Sequence, residues 1–227
     1  MSEDFIDSFA QDADSFGTLI SNSDLDSVVS SCPGWRLRDL ATHLGHVHRW
    51  ASTCISEGSP VARGEPAIED AFLAEWFREG AFDLETLLRE RDPGAPTWTF
   101  GPEPRVMSFW SRRQAQETAV HLWDARAAIG SPQPIDENLA ADGVVEVFEV
   151  FLPRQRKRDQ LKESPQGIRI ILPDGRSFDT GEDIEAEVSG AASDLLLCLW
   201  RRIPAEGLSV EGSMQFVRAF FSQALTP

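Results

Sequence analysis

Apolar positions return at helical intervals through the first half of the chain. From residue 3 to about residue 21, Phe5, Phe9, Ala13, Phe16 and Leu19 share one face, with Asp4 to Asp14 decorating its start. Pro33 and Gly34 break the chain. Leu37, Leu40, Leu44, Val47, Ala51 and Ile55 then mark a second stripe. AIEDAFLAEWF through LETLLRE predicts a third helix over about 68–91, with a bend expected near Gly80. After the loop RDPGAPTWTFGPEP, a fourth helix runs from about Met107 to Ile129 and stops at Gly130. Four helices joined by turns and loops predict a bundle.

The period changes after SPQPIDENLA, where Pro132 and Pro134 read as a linker. One more helix, over about 137–155, carries Leu139, Val144, Val147, Phe148 and Phe151. GIRIILPDGRSFDT then reads as a hairpin turning at Pro173-Asp174-Gly175. IEAEVSG is a third strand, SDLLLCLWRR a nearly apolar helix, LSVEGS a short strand and MQFVRAFFSQAL a closing helix. Helices set against a small antiparallel sheet define an α+β second domain. The expected division is a helical domain at 1–132 and an α+β domain at 133–227.

The composition narrows the partners. The 227 residues carry 37 acidic and 21 basic side chains, a net charge of −16. Nucleic acid and anionic membrane surfaces both demand clustered positive charge, so neither is an expected partner. The basic run RQRKRDQLK at 154–162 reads as a solvated helix end. No apolar run approaches the roughly 18 residues of a membrane span. The acidic, amphipathic N-terminus reads as a helix and not a signal peptide. Cys32, Cys54 and Cys198 are odd in number and widely spaced, which points to a cytoplasmic protein without a disulfide framework.

All four histidines fall in two short segments. His43, His46 and His48 crowd into LATHLGHVHRW, and His121 follows Glu117 by four residues in ETAVHLWDA. That spacing puts Glu117 and His121 on one helical face, their Cβ atoms roughly 5–6 Å apart. A third ligand from the other segment gives His–Glu–His, a set that suits zinc with one coordination position left open. On the second helix His48 lies inside the apolar stripe, His43 at its edge, and His46 points away; spacing alone does not choose among them. Asp124 shares the face of Trp110, Glu117 and His121, either as an acceptor for the His121 ring or as a surface acid. Cys32 reads as structural, and Trp35 as an apolar cap.

CPGWRLRDLATHLGHVHRW resembles the PGW-x2-RDL-x2-HL segment of the mycothiol-dependent maleylpyruvate isomerase family. ETAVHLWDA resembles that family's E-x3-H-x2-D segment, and VSGAASDLLLCLWRRIP with LSVEGS resembles its C-terminal domain. The resemblance implies a DinB-like four-helix bundle followed by a sterol carrier-like domain. It implies a zinc or other divalent ion held by His43, Glu117 and His121, because His43 stands directly before the leucine of the HL pair. It also implies mycothiol as a thiol cofactor and a small electrophilic substrate. In that chemistry a thiolate adds to the double bond of a cis-unsaturated keto acid, the resulting single bond rotates, and the thiol leaves to give the trans isomer. A relative could pass the same thiolate to another electrophile as a thiol transferase. Arg201, Arg202 and Arg218 are candidates for the substrate's carboxylates. The rival readings are a module that binds an apolar ligand in the second domain and a metal-dependent hydrolase.

Overall fold

The computed structural model describes residues 2–64, 66–161 and 164–226. The chain forms two compact units, residues 1–133 and 134–227.

The first unit contains four helices of equal length: α1 (Ser2–Asn22), α2 (Leu37–Glu57), α3 (Asp70–Glu90) and α4 (Ser108–Ala128). In the ring they form, α1 packs on α4 and α3, and α2 packs on α3 and α4. α1 buries Ile6, Phe9, Ala13, Phe16 and Ile20. Its stripe therefore sits one residue away from the expected Phe5 and Leu19 at its two ends, where steps of three and four keep the face aligned. α2 begins where the Asp39 carboxylate accepts the Arg36 N–H at 2.8 Å and ends at Gly58, which takes the left-handed conformation at φ 61°.

The expected bend in α3 does not occur; the helix runs unbroken through Gly80. The glycine leaves room there for the Arg49 side chain. A Cβ at Gly80 would lie 2.0 Å from Arg49 Nη1, and one at Gly45 would lie 2.3 Å from the Trp76 ring. Arg49 lies over Trp76 at 4.0 Å and donates to the Trp76 carbonyl at 2.6 Å, which clamps α2 to α3. α4 is buried on nearly every face, including the polar residues Arg113, Gln114, Gln116, Thr118, His121 and Asp124.

The second unit starts with α5 (Glu137–Glu146), capped by the Asp136 carboxylate, which accepts the N–H groups of Asn138 and Leu139 at 3.0 Å. The one expected helix over 137–155 is divided. A π-helical turn at Val147–Phe151 leads into α6 (Leu152–Lys157). Pro153 supplies no N–H to the ladder, and the wider turn accommodates the missing bond. The strands are β1 (Gln166–Ile171), β2 (Ser177–Asp179), β3 (Asp183–Ser189) and β4 (Ser209–Gly212), with α7 (Ala192–Leu199) and α8 (Met214–Phe221). Ile168, Ile170, Ala186 and Val188 alternate into the core, where α8 packs on β3 and β1.

The sheet is mixed and not wholly antiparallel. Its order is β2-β1-β3-β4; the two outer pairings are antiparallel, but β1 and β3 run parallel. After the hairpin the chain crosses the start of β1 in only three residues, Thr180 to Glu182, and pairs on the far side. Two glycines permit the crossing: a Cβ at Gly167 would meet the Gly181 nitrogen at 2.3 Å, and one at Gly181 would meet the Pro165 carbonyl at 2.6 Å. Among the described residues, no helix is long and apolar enough to cross a membrane.

Candidate metal centre

His43 projects from the second turn of α2, and Glu117 and His121 from adjacent turns of α4. Glu117 Oε1 lies 3.4 Å from His121 Nε2 and 3.9 Å from His43 Nε2. One ligand atom from each of the three lies within 4.8 Å of the others. A tetrahedral ion with bonds of about 2.0–2.2 Å separates its donors by roughly 3.3–3.6 Å, so these side chains converge closely enough to share one. The centre is partly open to solvent: the side chains of His43 and Glu117 keep 19% and 18% of their accessible surface, and His121 9%.

Each ligand candidate is held from behind. Arg113, one turn before Glu117 and almost wholly buried, donates Nη2 to Glu117 Oε2 at 2.8 Å. This occupies one carboxylate oxygen and leaves Oε1 facing the histidines. The fully buried Asp124 accepts from His121 Nδ1 through Oδ2 at 2.9 Å. That bond selects the tautomer with Nε2 turned toward Glu117, the usual carboxylate–histidine support of a metal site. Ser31 donates its hydroxyl to Asp124 Oδ1 at 2.6 Å. The Trp35 ring lies 4.8 Å from the His43 ring.

The electrostatics favour a cation. Burial by itself raises the Glu117 pKa, but contacts with His121 and His43 and the charge of Arg113 outweigh it and hold the carboxyl well below its ordinary range. Burial likewise works against charge on His121, yet the hydrogen bonds to Asp124 and Glu117 prevail and raise the ring to about 9. In the metal-free molecule a proton therefore occupies Nε2 at neutral pH, in the place where a divalent ion would compete for the same lone pair.

The other two histidines have different surroundings. His48 is fully buried, its Nε2 is 3.1 Å from the Thr118 hydroxyl, and its ring lies edge-on to Phe9 and tilted against Phe77. Burial depresses its pKa to about 3, so it is a neutral core residue. His46, expected to point away from the apolar stripe, is not exposed. Trp76 and the Pro66 carbonyl, 2.9 Å from Nε2, cover it.

The three arginines considered for substrate lie in the second unit. Arg218 pairs with Glu206 at 2.7 Å, and Arg202 donates to the Trp200 carbonyl at 2.9 Å. Arg201, at φ 57°, is an exposed left-handed residue just beyond α7. Arg113, Ser31 and the approach of Trp35 to His43 were missed from the sequence. Arg113 had a visible signal, since it stands four residues before Glu117 on the same face. Ser31 had none, because its partner lies 93 residues away.

Residues 7–126 match the family model for the mycothiol maleylpyruvate isomerase N-terminal domain, and residues 138–215 match that for the MDMPI C-terminal domain. The chain belongs to the mycothiol-dependent maleylpyruvate isomerase family, a family of enzymes. No curated protein matches it in sequence. Its fold is shared with a crystal structure of the mycothiol-dependent maleylpyruvate isomerase at a TM-score of 0.71 and 14% identity, and with a histidine-to-alanine mutant of that enzyme at 0.73 and 13%. Each alignment covers 94% of this chain and 95% of the other.

Proposed function

We propose that the protein holds one zinc-like divalent ion through His43 Nε2, Glu117 Oε1 and His121 Nε2. We propose further that it uses the ion with mycothiol to isomerise a small unsaturated keto acid or to transfer the thiol to a related electrophile. The observation that carries the reading is the convergence of the three donors on one partly open point. Family membership supports the thiol and the reaction class.

When bound, such an ion lowers the pKa of a coordinated thiol and so supplies a nucleophile at neutral pH. The chain's own residues prepare for this. Asp124 keeps the His121 Nδ1 proton and so presents Nε2 as a donor. Arg113 holds Glu117 Oε2, which restricts the carboxylate to one ligating oxygen and offsets its charge. Trp35 screens one face of His43 and limits the directions from which a ligand can approach.

Elemental analysis of His43→Ala, Glu117→Ala and His121→Ala tests the ligands. Each should lose most of the bound metal, while His48→Ala should keep it. Full metal in all three variants places the site elsewhere. Mycothiol should raise the thermal midpoint of the metal-loaded protein and leave that of the metal-free protein unchanged, because a ligand specific to one folded form stabilises only that form. A loaded protein that ignores thiols but hydrolyses an ester or amide would instead support the hydrolase reading.

A further inference from the structure

His121 has two ring nitrogens, and the proposed ion uses only one of them. On the other side of the ring, two donors meet at a single carboxylate oxygen. Asp124 Oδ2 accepts from His121 Nδ1 at 2.9 Å and from Cys32 Sγ at 3.9 Å. One ligand atom each from Cys32, His121 and Asp124 lies within 4.8 Å of the others. Ser31 holds the opposite oxygen, Oδ1, at 2.6 Å, so Oδ2 stays turned toward both the sulfur and the ring.

The main chain at Cys32 is held on both sides. The Cys32 N–H donates to the Val29 carbonyl and its carbonyl accepts the Trp35 N–H, both at 3.0 Å. Cys54 and Cys198 are buried for packing, at 0% and 1% exposure. Cys32 differs from both: it is partly exposed, within reach of an ion from solvent, and turned onto a buried carboxylate.

We propose that Cys32 Sγ, Asp124 Oδ2 and His121 Nδ1 form a second position for a borderline divalent cation of the zinc class, with the His121 ring bridging it to the first. A thiolate, an imidazole nitrogen and a carboxylate suit zinc or cobalt and do not suit magnesium or calcium. The ion takes the place of the protons on Sγ and Nδ1 that face Oδ2, so binding releases them. Because that exchange disrupts a hydrogen bond to a buried carboxylate, this position fills after the first. Its occupation removes the Nδ1 proton by which Asp124 orients His121, and metal in excess therefore inhibits.

The inference rests on the proposed first site only for its order of filling. Cobalt titration of the full metal-free chain separates the two, since only a thiolate ligand gives an intense near-ultraviolet charge-transfer band. The first equivalent should bind without that band, and the second should produce it. Cys32→Ser and Asp124→Asn should each abolish the band, while His43→Ala should lose the first equivalent and keep the band. Absence of the band at cobalt excess overturns the proposal, as does its persistence in Cys32→Ser. A single equivalent that carries the band and survives His43→Ala would uphold the thiolate position and overturn the proposed first site instead.

Discussion

The two units differ in a line of buried charge that the first carries on α4. In the second unit several ion pairs lie on the surface: Arg169 bridges Asp179 and Glu187 at 2.8–3.0 Å, Arg176 meets Asp174, and Arg218 meets Glu206, all on side chains at least 38% exposed. The first unit has such surface pairs too, among them Arg89 with Asp7 and Glu85, and in addition a line of charge runs along α4 inside the protein, from Arg113 through Glu117 and His121 to Asp124. Surface pairs form at little cost and contribute little. A buried line of charge carries a desolvation penalty that packing alone would have avoided by placing apolar residues there. Its presence in the first unit marks that unit as the one with a chemical task.

The strongest way to break this contrast is to remove one end of a buried pair. Glu117→Ala removes the carboxylate that accepts from Arg113, a guanidinium only 3% exposed. Loss of one partner of a buried pair costs about 3–5 kcal/mol, and denaturant unfolding of the metal-free variant should show a loss of about 3 kcal/mol. A loss near that of an exposed pair, below about 1 kcal/mol, would place Arg113–Glu117 with the surface bridges and remove the contrast.

An effect smaller per pH unit separates two histidines within the first unit. His48, held at about 3 among apolar rings, stays neutral in the folded state and takes up a proton near 6.5 once unfolded. Its contribution to stability is thus full above pH 6.5 and falls as pH drops toward 3, by up to about 1.4 kcal/mol per pH unit. His48→Met should flatten that acid limb, leaving the part due to Glu117, whose lowered pKa acts in the same direction. His121, raised to about 9, does the reverse. In the metal-free protein its contribution is full below pH 6.5 and is lost as pH rises through 9. Zinc should abolish the alkaline slope, since the ion replaces the Nε2 proton. A slope unchanged by zinc would mean that His121 does not hold the ion.

The legibility of the sequence follows the same division between local and distant causes. The four bundle helices, the stop at Gly130 and the hairpin at Pro173–Gly175 were readable because each rests on a period or a turn within a few residues. The parallel pairing of β1 with β3 was not, because it depends on two glycines, Gly167 and Gly181, meeting across the sheet. The pairing of Glu117 with His121 was visible as a spacing. The choice of His43 over His46 and His48 came from family resemblance, since helical phase alone left the choice open. The break at Pro33-Gly34 was visible, but its bringing Ser31 and Cys32 onto Asp124 was not, and that contact is the part of the centre that no helical period reports.

The smallest effect sharpens the contrast from the other side. Arg169 makes three hydrogen bonds to Asp179 and Glu187, and these raise its already high pKa further. Counted as contacts alone, it looks as firmly held as a buried pair such as Arg113 with Glu117. Water competes for every one of those contacts, and salt screens what remains. Arg169→Ala should therefore unfold at the same denaturant midpoint as the parent chain at physiological salt, and any difference seen at low salt should vanish as salt is added. A loss as large as that of Glu117→Ala would show that the number of contacts governs these pairs. A loss too small to resolve would show that burial does, and would leave the interior charges of α4 as the ones that need a functional explanation.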